Sequence, residues 1–262
     1  MNGFRRIRLF SAVTWAVGTV VVVALAFFTF PSLAINPRTG ELLVGEGEGE
    51  YEYPWETPGA TELEIVDGVV HGTRAGGYLR LPGGSALLTL TPAPGNDEDE
   101  WVRVYQQRGT GTDPEASDWD WPGYLGALYP DSDVVVLPGS EDGLLWFGEA
   151  LDDWSATVTY PEATPMTGTA SGKGNALLLY EGEALSGRFQ HTGTGVFLVG
   201  AVTVGDWNSL VNDVDEVDER ASWEPTDRIV FQVESDTGDG NWTITLDTPA
   251  GAAPDPAPTP AP

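Results

Sequence analysis

The chain has 262 residues, of which 12 are Lys or Arg and 40 are Asp or Glu, giving a formal net charge of −28. A field of that sign excludes a phosphate backbone as a natural partner, so no nucleic acid is expected. There is no cysteine and there are only two histidines, His71 and His191, which excludes disulfides, thiolate chemistry and a conventional zinc site.

Residues 1–8 form a basic stub with Arg5, Arg6 and Arg8, and residues 9–30 carry no charge. A run of that length spans a hydrocarbon core of about 30 Å as a helix. The arginines before it place the amino terminus in the cytoplasm and everything after it outside. Ser32 and Ala34 supply small residues for signal-peptide cleavage. The apolar run, however, exceeds the roughly 7–15 residues of a cleaved signal. The expectation is therefore an uncleaved signal anchor in the plasma membrane, crossing once, with an extracytoplasmic remainder. Residues 31–50 read as a linker.

From residue 51 the pattern changes to short runs of Val, Leu, Thr, Tyr and Trp broken by Gly, Pro and Asp. Strands are expected at 62–66, 77–81, 86–91, 101–107, 134–137 and 144–148, then at 176–180, 186–191, 195–204, 228–234 and 242–247. The segments 101–105 and 228–234 largely alternate polar and apolar, as half-buried strands do. The fold class is all-β: two tandem antiparallel β-sandwiches, jelly-roll-like, at 51–162 and 166–248. Residues 84–90 resemble 174–180, and the run that starts Asp153-Trp154 resembles the one that starts Asn241-Trp242, at nearly equal separations. In each copy an acidic turn, 149–153 or 234–241, is expected to close a hairpin and deliver a tryptophan to the last strand. Residues 249–262, rich in Pro and Ala, read as a disordered tail.

The second copy also carries His191-Thr192-Gly193-Thr194-Gly195-Val196-Phe197, Leu210-Val211-Asn212 and Gly240-Asn241-Trp242-Thr243-Ile244. Over residues 174–246 it resembles a small extracytoplasmic β-sandwich module of actinobacterial and archaeal envelope proteins. That module tends to continue with a glycine and an aromatic after the Leu-Val-Asn segment, whereas this chain continues Asp213-Val214-Asp215-Glu216. The resemblance implies a fold and an envelope location, and it carries over no catalytic residue.

Signals for chemistry are sparse. No Gly-x-Ser-x-Gly elbow occurs. The glycine-rich run 168–174 is one residue short of a phosphate loop and has Gly174 where a hydroxyl would bind magnesium. His71 and His191 read as turn or sheet-edge residues. Asp118, Trp119, Asp120, Trp121 and Tyr124 form a loop that combines stacking faces with hydroxyl acceptors, the composition of a saccharide site. Residues 51–55, with Tyr51, Tyr53 and Trp55, read as an edge strand. Asp213, Asp215, Asp236 and Asp239 are candidate ligands for weak Ca²⁺ binding, although their spacing misses the EF-hand pattern. Residues 213–219 read as a solvated loop. No other cofactor is expected. These features predict a non-catalytic protein with a binding or structural role, its partner an envelope protein or a wall polymer. A carbohydrate-binding module using Trp119 and Trp121 is the alternative. A glycoside hydrolase using two carboxylates is a weaker one.

Overall fold

The computed structural model describes residues 33–35, 42–44, 53–56, 60–93, 101–116, 119–130, 132–235 and 240–247. The basic stub, the anchor at 9–30, the tail at 249–262, Asp118, Asp236 and Asp239 lie outside them. Met1–Glu52 and Tyr53–Pro262 form separate compact units. In the first, β1 (Leu33–Ile35) pairs antiparallel with β2 (Leu42–Val44), inside the stretch expected to be a linker.

The second unit is all-β, with no helix among its described residues. Its first half runs β3 (Thr61–Glu62), β4 (Ile65–Val66), β5 (Val69–Gly72), β6 (Gly77–Leu81), β7 (Leu88–Pro92), β8 (Val102–Arg108), β9 (Gly123–Leu128), β10 (Val134–Val136), β11 (Gly143–Phe147) and β12 (Trp154–Thr159). The second half runs β13 (Thr164–Met166), β14 (Thr169–Gly172), β15 (Ala176–Tyr180), β16 (Ser186–Thr192), β17 (Val196–Thr203), β18 (Asp206–Val214), β19 (Val217–Ser222), β20 (Ile229–Ser235) and β21 (Asn241–Leu246).

The halves repeat one topology. In the first, the sheets are β3-β6-β11-β8-β9 and β10-β7-β12-β5-β4; in the second they are β13-β15-β20-β17-β18 and β19-β16-β21-β14. Strand for strand the orders coincide, with β4 the only addition. The irregularities coincide too. The pairing of β8 with β9 slips between Val104 and Tyr105, and that of β17 with β18 slips between Val199 and Gly200. Such bulges bend a strand and increase its twist. Most pairs are antiparallel, but β3 with β6 and β13 with β15 are parallel.

Alternation builds each core. In the first half Leu79, Leu81, Val102, Val104, Leu145 and Phe147 meet Val70, Leu88, Leu90, Val134, Trp154 and Val158 of the facing sheet. In the second half Leu178, Phe197, Val199, Ile229 and Phe231 meet Phe189, Val217, Trp242 and Ile244. The same parity explains why β11 is buried along its whole length and β20 at every residue but Glu234. Their inward residues join these cores, and their outward residues lie under further layers. Leu144 and Trp146 of β11 sit beneath Trp55 and Trp119. Val230 of β20 packs with Val135, Leu137 and Val202 in a seam shared by both halves.

Several expectations are corrected. The acidic turns do not close hairpins. β11 and β12 belong to different sheets, as do β20 and β21, so each connection leads from one sheet to the other. Residues 62–66 split between two sheets. Residues 84–90 correspond to no part of 174–180; the topological partner of β15 is β6, and Gly76 and Gly174, which precede these two strands, both have positive φ. Residues 213–219 are not a solvated loop, because Asp213 and Val214 end β18 and Val217 begins β19 with its side chain buried. Tyr53 to Trp55 enter a turn rather than an edge strand. β9, β13, β14, β18 and β19 lie largely outside the expected strands.

Candidate ligand cleft at the seam

The connection between β8 and β9 occupies residues 109–122, whereas the equivalent connection between β17 and β18 is Val204-Gly205 alone. The long loop folds back over the outer face of its own sheet. Trp119 is half-buried there, with ring centroids 6.4 Å from both Trp55 and Trp146. Trp55 is stacked on Tyr53 at 4.8 Å and stands edge-on to Tyr105 at 5.3 Å. Trp119 therefore serves as packing.

Trp121 goes the other way. It is 64% exposed, with its ring centroid 6.3 Å from that of Trp55 and the two rings nearly perpendicular. Of the five candidate saccharide residues, Asp120 and Trp121 reach a common cleft. Tyr124 is exposed on β9, tilted against Tyr105 at 5.5 Å. Burial raises the pKa of the Tyr124 and Tyr105 hydroxyls above the ordinary phenol value, with nearby Arg103 partly opposing the shift. Both remain neutral donors at physiological pH.

The cleft lies between the halves. One part, of about 320 Å³, is lined by Arg108, Asp120 and Trp121 from the first half and by Thr203, Asp206, Asn208 and Trp223 from the second. It shares Gln106, Arg108, Val204, Pro225 and Thr226 with a larger part of about 900 Å³, which adds Glu141, Asp142, Glu183 and Asp227. Its floor is fixed by one buried side chain. Gln106 donates from Nε2 to the Leu137 carbonyl at 3.0 Å, and its Oε1 accepts from the Gly205 N–H at 3.0 Å. Arg108 Nη2 donates to the Val204 carbonyl at 3.3 Å. Gly123 lies so close to the Gly205 carbonyl that a side chain there would overlap it. Asp206 Oδ2 accepts from Asn208 Nδ2 at 2.5 Å, which orients the pair.

The acidic candidates behave differently. Asp215 has φ of 67° at the corner between β18 and β19, and its Oδ1 accepts from the Gly195 N–H at 3.2 Å. Asp213 Oδ1 accepts from the Val214 N–H at 2.8 Å. Both carboxylates are engaged with backbone N–H groups, and the described residues contain no cluster of metal-ligating side chains. His191 is neither at an edge nor in a turn. It lies on the central strand β16, 1% exposed and stacked on Phe197 at 4.9 Å, with Nδ1 2.6 Å from the Asp215 carbonyl. His71 is exposed on β5 opposite Ser155.

Asp206, Asn208 and Trp223 were not marked by the sequence, because no local motif ties them to the loop. No family model and no curated protein sequence matches the chain. Among solved structures, a crystal structure of tripeptidyl peptidase 2 is similar over 71% of this chain, with 7% identity and a TM-score of 0.22. This chain spans 24% of that one, and a likeness so weak says nothing of activity.

Proposed function

We propose that the protein is a non-catalytic binding protein of the cell envelope, anchored by residues 9–30 and displaying two tandem jelly-roll β-sandwiches outside the membrane. The uncharged run behind three arginines supports the anchor. In both halves the chain passes between facing sheets in the interleaved order of a jelly roll. The observation that carries a binding role is Trp121. A large aromatic stays exposed on the long β8–β9 loop, whose counterpart in the second half is two residues, beside a polar cleft. Its partner is a wall polymer or another envelope protein. Trp121 also favours the carbohydrate-binding alternative, with Trp119 reduced to a support.

Location is tested by fractionating cells that produce the full chain and treating intact cells with protease. The protein is expected in the membrane fraction, with the region after residue 52 degraded from outside. Recovery in the soluble fraction, or full protection from protease, would overturn the proposal.

A further inference from the structure

We infer that the seam cleft binds a chain of neutral sugars, and that both halves of the protein supply its walls. The inference rests on the binding reading above and gives that role a ligand class.

Two parts of about 320 and 900 Å³ share five lining residues, so the cleft is a continuous trough rather than a pit for one small molecule. A trough suits a polymer. At one end Trp121 offers an open indole face, against which the C–H face of a pyranose ring loses water while its hydroxyls stay at the rim. Groups that read vicinal hydroxyls stand around that face: Asp120 from the loop, Arg108 from β8, and the paired Asp206 and Asn208 from β18. Trp223, from the second half, lines the same part of the trough.

Charge selects the ligand further. The trough presents Glu141, Asp142, Glu183 and Asp227 in addition to Asp120, Asp206 and Glu224, against Arg108 and Arg228. Arg228 is already engaged with Glu181 at 3.2 Å. A polyanion such as a uronic-acid or phosphate polymer would meet net repulsion. A basic peptide would not be repelled and can set a cation over the indole, so the Asn208 amide beside Asp206, a donor that sugar hydroxyls accept and ammonium groups cannot, carries the choice of a sugar. The site is also preorganised, because Gln106 ties Leu137 to Gly205 beneath it, so little ordering is required on binding.

The test uses the full chain in detergent micelles, titrated with neutral hexasaccharides of glucose, mannose, galactose and N-acetylglucosamine and followed by calorimetry. At least one is expected to bind. Trp121→Ala should weaken it by about tenfold or more, and Asn208→Ala, on the other half, by about threefold or more. Trp101→Ala removes an exposed aromatic stacked on Tyr129 away from the trough and should leave affinity unchanged. Thermal melts of each variant separate lost binding from lost folding. No binding by any hexasaccharide, or undiminished binding by both Trp121→Ala and Asn208→Ala, would overturn the inference. Binding of deca-lysine in place of every sugar would overturn it in favour of a basic peptide and leave the envelope-binding role standing. Release of new reducing ends would instead overturn the non-catalytic reading.

Discussion

Trp154 and Trp242 occupy the same position in the two halves, each the first or second residue of the final strand and each lying over a glycine. Gly72 is in register with Trp154 and Gly172 with Trp242, and a methyl group on either glycine would overlap the indole. The tryptophan needs that bare backbone to reach the core. The two sites differ in one bond. Trp242 Nε1 donates to the Gly174 carbonyl at 2.9 Å, whereas the buried Trp154 Nε1 has no hydrogen-bond partner. Exchange for phenylalanine therefore separates packing from hydrogen bonding. Trp242→Phe loses volume and leaves a carbonyl unmet; Trp154→Phe loses the same volume and removes an unsatisfied donor. The first should be more destabilising than the second by about 1–2 kcal/mol in denaturant melts. Equal costs would mean that the Gly174 bond contributes nothing. The sequence marks both tryptophans, because an indole after an acidic turn is a local pattern. It does not mark Gly72 or Gly172, whose role depends on the strand that comes to lie beside them.

At the level of elements, strand character was legible and strand partnership was not. Alternation of apolar and polar residues is local, so β8, β11, β16, β17, β20 and β21 appear in the sequence nearly in place. Pairing depends on long-range geometry. The acidic turns 149–153 and 234–241 read as hairpins because they are short, and the strands they join leave six and five residues between them. Yet packed sheets lie about 10 Å apart, and stepping between them takes more backbone than the two residues of a tight hairpin. The five or six residues were the available sign. The site shows the same division: Trp121 was legible, and Trp223 was not. The loop 109–122 also covers Leu144, Trp146, Tyr78 and Tyr105 on the outer face of its sheet. Replacing it with Val-Gly, as in the second half, should keep the β8–β9 ladder but uncover that face. The expected result is self-association in sedimentation measurements at concentrations where the natural chain is monodisperse. Charge pairs act at this scale as well. Asp247 ties the start of β16 to β19 by accepting from Ser186 at 2.6 Å and from Arg220. The Ser186 hydroxyl, and then the Arg220 guanidinium, hold its pKa below the usual carboxylate value. A depressed pKa gives stability that is present above the ordinary carboxylate range and lost as pH falls through the folded value. The Tm difference between the natural chain and Asp247→Asn should thus be open at pH 6 and close below about pH 4. A difference independent of pH would exclude this linkage.

On the scale of the whole second unit, the two halves make unequal use of the same outer face. In the first half, the face of β6, β11 and β8 is capped by Trp55 and the long loop. In the second, the corresponding face of β15, β20 and β17 is covered by Val135, Leu137 and Leu87 of the first half. The repeats are therefore stacked head to tail, and the aromatic cap ends the stack where a further copy would dock. A heterologous interface of this kind propagates unless something closes it. The seam itself is apolar at Val135, Leu137, Val202 and Val230, pinned by Gln106, and brought to backbone contact at Gly123 and Gly205. That combination predicts that residues 53–247 unfold as one cooperative block despite containing two cores. Gly123→Ala places a methyl group against the Gly205 carbonyl and must push the halves apart. Gln106→Ala leaves the Gly205 N–H and the Leu137 carbonyl without their buried partner, at a cost of about 1–3 kcal/mol for each unmet group. Combined, they should split a single calorimetric transition into two, the first half and the second melting separately. If the natural chain already melts in two steps, the seam does not couple the halves. If the double variant still melts in one, the coupling resides in the apolar contacts of Val202 and Val230 alone.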